Sequence, residues 1–152
     1  MTETDIGLFT VAVFQDAAWA GKAVEALTRE GFTAELLTIL AKDSPEAAAL
    51  IAKTFGSAAE QLDLGVAGAV IHRGALVEVL QGSARDLSKL GLAGTMRRVG
   101  FQAHDGRIFE ALTGRGGVLV AVRSESRAAD ALALFHSYGG GNAAIGAWSG
   151  RI

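Results

Sequence analysis

Two stretches of the chain repeat the same order of apolar and polar residues, and this repeat constrains the fold more than any other feature. Residues 10–40 align with residues 118–148 at a constant offset of 108 positions and without a gap. Each stretch begins with an almost continuous apolar run, typical of a buried strand. An amphipathic run at helical spacing and a second apolar run follow. The pattern predicts two βαβ units, one at each end.

The predicted helix ends correspond in the two units. Asp16 and Ser124 occupy equivalent positions before the amphipathic runs, and both residue types cap helix N-termini through a side-chain oxygen. Gly31 and Gly139 occupy equivalent positions after these runs, where a helix commonly ends in a left-handed residue. We therefore expect Asp16 and Ser124 to be N-caps and both glycines to end helices.

Composition indicates one globular domain. The chain has 152 residues, half of them hydrophobic, which is enough to bury a core. It contains no cysteine, so disulfides, thiolate metal sites and a cysteine nucleophile are excluded. We expect a cytoplasmic protein without a signal peptide. The longest apolar stretch, residues 62–71, is too short to cross a bilayer, so a membrane role is not expected.

Charge is distributed unevenly along the chain. Residues 1–63 hold four basic and ten acidic residues, whereas residues 73–127 hold nine basic and five acidic residues. If these segments separate in space, the molecule has faces of opposite sign, which favour self-association or a charged partner. The overall net charge of −2 argues against nucleic acid as a partner.

The middle of the chain is predicted to be mainly helical. Asp43-Ser44-Pro45-Glu46 is a strong helix start, and Gly56 is a natural stop. Residues 57–64 are expected to add another turn or two. Val66–Leu80 has two interpretations: a strand pair turning at Arg73-Gly74, or loop and helix, which we favour. Asp105 is expected to cap a later helix.

Together these elements predict an α+β protein with a ferredoxin-like fold. The two βαβ units, at 8–41 and 117–148, would pair into one four-stranded antiparallel sheet with two helices on one face. Residues 43–113 would form a large helical insertion between them. The whole chain, 1–152, would then be a single domain.

A family resemblance rests on both ends of the chain. The strand Thr10-Val11-Ala12-Val13-Phe14 precedes the Asp16 helix, and Phe109-Glu110 leads through Gly116-Gly117 into the strand at 118–122. In these features the sequence resembles the bacterial general stress protein 17M-like group, which includes heat- and low-temperature-induced proteins of unknown function. Val66–Gly82 resembles part of that family's small-residue insert, which favours helix there. The resemblance implies a stress-associated role and supplies no catalytic residues.

Candidate binding residues are the three histidines and the polar groups near them in the sequence. His104 and Asp105 could act as a base with an orienting acid, although both also suit a helix start. His136 precedes Tyr138 and three consecutive glycines, which let another group approach the backbone closely. No spacing typical of metal ligands occurs, so we expect no metal and no cofactor. The candidate ligand-binding residues are His72, His104, Asp105, Arg115, His136, Tyr138 and Asn142.

Two functional hypotheses follow. The first is a non-enzymatic, stress-associated interaction module that forms a homodimer, because a four-stranded sheet of this kind leaves one face and its edges to be covered. The alternative is a small-molecule-binding protein or enzyme, with a pocket between the helical insertion and the sheet. A homo-oligomer is the expected partner state, and a small-molecule ligand belongs to the alternative.

Overall fold

The computed structural model describes residues 9–65, 68–124 and 127–139. Within these residues the protein is α+β, with five strands in one antiparallel sheet and six α-helices. The strands are Phe9–Phe14 (β1), Leu37–Lys42 (β2), Glu60–Asp63 (β3), Ala69–Gly74 (β4) and Val118–Arg123 (β5). The helices are Ala17–Arg29 (α1), Pro45–Phe55 (α2), Ala75–Gln81 (α3), Leu87–Thr95 (α4), Ala103–Gly114 (α5) and Ala128–Ser137 (α6).

Helices cover both faces of the sheet. Neighbouring strand residues point to opposite faces, so Val13 packs into one hydrophobic cluster and Phe14 into the other. The cluster around Val13 is completed by α3, α4 and α5. The cluster around Phe14 is completed by α1, α2 and α6. The helices of the two βαβ units, α1 and α6, lie on the same face as expected, and helices of the insertion cover the other face.

The N-terminal unit follows the predicted pattern. The Asp16 carboxylate accepts a hydrogen bond from the Trp19 N–H at 2.9 Å and caps α1. Gly31 has a φ of 98°, the left-handed conformation expected after a helix. The strand expected at 32–41 is shorter, because Ala34–Leu36 forms a 3₁₀ turn before β2.

The C-terminal unit differs at its cap. Ser124 does not cap α6, which begins only at Ala128. Its hydroxyl instead lies 2.6 Å from the Thr10 hydroxyl on the adjacent strand. Arg127, directly before α6, donates to the Glu30 carbonyl at 2.7 Å. The helix is thereby tied to the end of α1, while Gly139 has the expected positive φ of 81°.

The two ends of the chain share one sheet. Strand β5 lies between β1 and β2, with Ala121 opposite Val11 on one side and Thr38 on the other. The expectation that both ends join in an antiparallel sheet is confirmed. The described sheet has five strands, whereas four were expected. The predicted last strand at 141–148 lies outside the described residues.

The middle of the chain is not purely helical, and one prediction there is wrong. Residues 60–63, expected to extend a helix, form the edge strand β3. Val66–Leu80 combines the two interpretations: β4 is the first strand of the strand-pair alternative, and α3 follows as the favoured helix. Pairing is the reason: β4 lies antiparallel to β2, with His72 opposite Leu40, and β3 adds outside it. Long-range pairing here overrides the local preference.

Helix α5 also starts earlier than expected. It begins at Ala103 after Gln102, so Asp105 lies in the first turn and is not the N-cap. An acidic side chain in that turn still interacts favourably with the positive end of the helix.

An ion pair joins the segments before and after α4, on the face of the sheet that α3, α4 and α5 cover. The Arg98 guanidinium donates to both carboxylate oxygens of Asp86, at 2.7 and 3.2 Å. It also donates to the Leu80 carbonyl at 2.6 Å, near the end of α3. The bidentate geometry makes this pair stronger than a single surface contact.

Candidate ligand-binding cleft

A cleft of about 290 Å³ lies where β4 passes into α3, beside the edge strand β3. Its walls come from the 3₁₀ turn before β2, the end of α2, the strands β3 and β4, and the first turn of α3. The lining residues are Ala34, Glu35, Phe55, Glu60, His72, Arg73, Gly74 and Glu78. Segments distant in sequence thus bring one imidazole, three carboxylates and one guanidinium together.

The direct passage from strand to helix depends on Gly74. Its φ of 129° is a conformation that side-chain-bearing residues rarely adopt. A Cβ at this position would also collide with the Leu37 carbonyl and with Thr38. The Thr38 hydroxyl accepts a hydrogen bond from the Leu76 N–H at 3.0 Å. The first turn of α3 therefore starts against β2, and this places Glu78 at the cleft.

His72 is the most buried polar side chain of the cleft. It lies on β4 between Leu40 and Glu60 of the neighbouring strands, and only 7% of its surface is exposed. Within the described parts of the chain its ring has no hydrogen-bond partner. Buried polar groups normally have one, and the ring nitrogens of His72 remain open to the cleft, so water or a ligand can supply the partner there.

Burial lowers the pKa of the His72 imidazole below its usual 6.5. Glu60 and Glu78 act in the opposite direction and raise this pKa, while Arg73 lowers it further. Since the net pKa shift is downward, the ring is neutral at pH 7. A neutral imidazole offers one N–H donor and one nitrogen acceptor.

The charged groups of the cleft are loosely held. Arg73 donates to the Ala58 carbonyl at 3.3 Å and to the Glu60 carboxylate at 3.4 Å. Glu78 pairs with Arg85 at 3.3 Å, and both side chains are mostly exposed. Exposed pairs of this kind contribute little to stability. The carboxylates can therefore change partners at small cost when a ligand enters.

The other predicted site residues lie elsewhere. His104 and Asp105 stand in the first turn of α5, and Arg115 follows that helix on the same side of the sheet. His136 and Tyr138 lie at the end of α6, against the opposite face of the sheet. Asn142 lies outside the described residues. Of the predicted residues that the structure describes, His72 alone is among those that line this cleft.

Sequence reasoning missed the residues that surround His72. Glu35, Glu60 and Glu78 are far apart in the sequence, and each resembles an ordinary surface residue there. One signal was present: the apolar run at 69–71 ends in His72-Arg73, which places polar side chains on both faces of a paired strand. Such an interruption could have indicated a polar site at the end of the sheet.

A second concavity, of about 450 Å³, lies near the N-termini of α1 and α2. Three of the polar side chains that line it already have hydrogen-bond partners. Asp16 and Ser44 accept hydrogen bonds from backbone N–H groups of their own helices. Lys42 donates to the Gly114 carbonyl at 3.1 Å. These contacts give Asp16, Ser44 and Lys42 partners without a ligand.

Comparison with known proteins found no matching family model, no similar curated protein and no similar solved structure. None of the described helices has the length and apolar character needed to cross a membrane. In the same part of the chain, no three histidine or acidic side chains are placed to hold a metal ion together. The case for function therefore rests on the cleft itself.

Proposed function

We propose that the chain is a small-molecule-binding protein whose ligand occupies the cleft around His72. The observation that carries this proposal is the buried imidazole, which lines a cavity and has no hydrogen-bond partner in the described residues. The cleft is bounded by the 3₁₀ turn before β2 and by α2, β3, β4 and α3 of the middle segment. Its volume is near the lower end of the roughly 300–1,000 Å³ usual for ligand pockets, so the ligand is small.

The test is a screen of anionic, neutral and cationic small molecules against the isotope-labelled full chain. Binding is monitored through the amide signals of His72, Gly74 and Glu78. A ligand of the cleft shifts these three signals in a saturable way. The matched control is the same screen with H72F, which fills the space and removes both ring nitrogens. If no compound of any charge shifts the cleft signals of the wild-type chain, the proposal is wrong.

We also propose that the two ends of the chain pair as in a ferredoxin-like fold. Strand β5 lies between β1 and β2, as two paired βαβ units require. Helices α1 and α6, one from each unit, pack into the same hydrophobic cluster on one face of the sheet.

This pairing is tested by amide hydrogen exchange in the full chain. Strand β5 is paired on both sides, so its amides should exchange more slowly than those of the edge strand β3. Equal exchange in β5 and β3 would contradict the pairing.

Self-association is a second candidate, favoured by the separation of charge. The acidic segment 1–63 supplies α1 and α2 on one face of the sheet, and the basic segment 73–127 supplies α3, α4 and α5 on the other. Opposite faces of two copies can therefore attract each other. Light scattering should show an assembly that weakens at high ionic strength; a monomer at low and high salt would eliminate this candidate. The stress-associated role stays a prediction.

A further inference from the structure

We propose that the His72 cleft selects a small organic cation with two separated amino groups, such as an aliphatic diamine. This inference rests on the proposed function and adds the ligand's chemical class. Its first support is charge: three carboxylates and a single guanidinium line the cleft, and they remain in excess when Arg85, the partner of Glu78, is counted. Such an excess of acid attracts cations and repels anionic metabolites.

The distribution of the carboxylates favours an organic cation over a metal ion. Glu35 comes from the 3₁₀ turn before β2, Glu60 from β3 and Glu78 from α3. Across the described residues, no three such side chains converge on one point as metal coordination requires. Two amino groups joined by a short chain can instead reach two carboxylates at once.

The remaining walls match the rest of such a molecule. Phe55 and Ala34 supply apolar surface for the methylene chain between the amino groups. The neutral His72 ring has an acceptor nitrogen for one ammonium N–H. Hydrogen bonds from an ammonium group to a carboxylate are charge-assisted and therefore strong. A diamine would thus give His72 the partner that it lacks.

The experiment is a calorimetric titration of the full chain with putrescine, butylamine, succinate and magnesium chloride. Putrescine should bind one molecule per chain, butylamine more weakly, and succinate and magnesium not at all. Glu78→Gln should weaken putrescine binding about tenfold or more, the effect of losing one charge-assisted bond.

Two controls separate the local effect from a general change. Glu25→Gln makes the same charge change on α1, also at an exposed ion pair, and should leave the affinity unchanged. Arg85→Gln breaks the Glu78 ion pair without removing the carboxylate, so binding should be retained or become tighter. Equal losses for E78Q and E25Q would mean non-specific attraction and would overturn the inference.

The outcomes distinguish this inference from the proposed function. If succinate or a neutral compound shifts the cleft signals of His72 and Glu78 while putrescine does not, the cleft is a binding site and the diamine class is wrong. If magnesium alone binds there, the organic class is equally wrong. If no probe of any charge shifts those signals, both proposals fail together.

Discussion

The hydroxyl of Thr38 on β2 accepts a hydrogen bond from the N–H of Leu76 on α3, at 3.0 Å, and Thr38 is fully buried. One of the unpaired N–H groups of the first turn of α3 is thereby satisfied by a neighbouring strand. The contact fixes where α3 starts, and with it the position of Glu78 at the cleft.

Replacing this hydroxyl should destabilise the protein. Thr38→Val keeps the shape of the side chain but leaves a buried N–H without an acceptor, which costs about 1–3 kcal/mol. Thr38→Ser keeps the acceptor and loses only a methyl group. Urea unfolding should therefore give a lower free energy of unfolding for T38V than for T38S. The reverse order would show that the hydrogen bond is unimportant.

Gly74 should be far less tolerant of substitution than another glycine of positive φ. Gly56 has a φ of 70°, and a Cβ there meets nothing within 4 Å, so Gly56→Ala should cost only the backbone strain of about 1–2 kcal/mol. Gly74→Ala adds a collision with the Leu37 carbonyl and Thr38, and should cost distinctly more. Thermal unfolding of the two variants compares them directly. Equal losses would contradict the crowding at Gly74.

The Arg98 and Asp86 pair should make stability depend on acid pH. The hydrogen bond from Arg98 holds the pKa of the Asp86 carboxyl below its usual 3.8. A carboxyl whose pKa is lower in the folded state stabilises the fold when the pH lies above its pKa in the unfolded state. This stabilisation is lost as the pH falls through the pKa of the folded state. Asp86→Asn should therefore be less stable than wild type at pH 7, and the difference should shrink in strong acid. A constant difference in acid unfolding would rule this out.

His72 should make the fold less stable in mildly acidic solution. Because burial lowers the pKa of its imidazole, the folded state favours the neutral ring. The neutral ring contributes fully to stability when the pH is above the usual pKa of 6.5. This contribution is lost as the pH falls from there through the lower pKa of the folded state. Melting temperatures across this range should fall for wild type and fall less for His72→Gln. A wild-type slope in H72Q would contradict the prediction.

Local patterns predicted the elements whose reasons are local. The apolar runs at β1 and β5, the Asp16 cap and the Gly31 helix end all depend on neighbouring residues, and all are present. Strand β3 was missed because Glu60-Gln61-Leu62-Asp63 has no alternation of apolar residues, and pairing with β4 alone makes it a strand. The role of Gly74 was also hidden, since the crowding comes from a strand more than thirty positions away.

The site divides in the same way. His72 could be identified because it is one of only three histidines in the chain. Its carboxylate neighbours could not, because Glu60 becomes adjacent only through strand register and Glu78 only through the turn at Gly74. His104 on α5 and His136 on α6 lie on opposite faces of the sheet. Their spacing in the sequence does not show this separation.

The most direct test of the binding cleft is an amide-signal titration of the labelled full chain with putrescine. We expect saturable changes confined to residues around His72 and Glu78, nearly abolished in E78Q and preserved in E25Q. Changes spread evenly over exposed carboxylates, or an absence of saturation, would contradict the account.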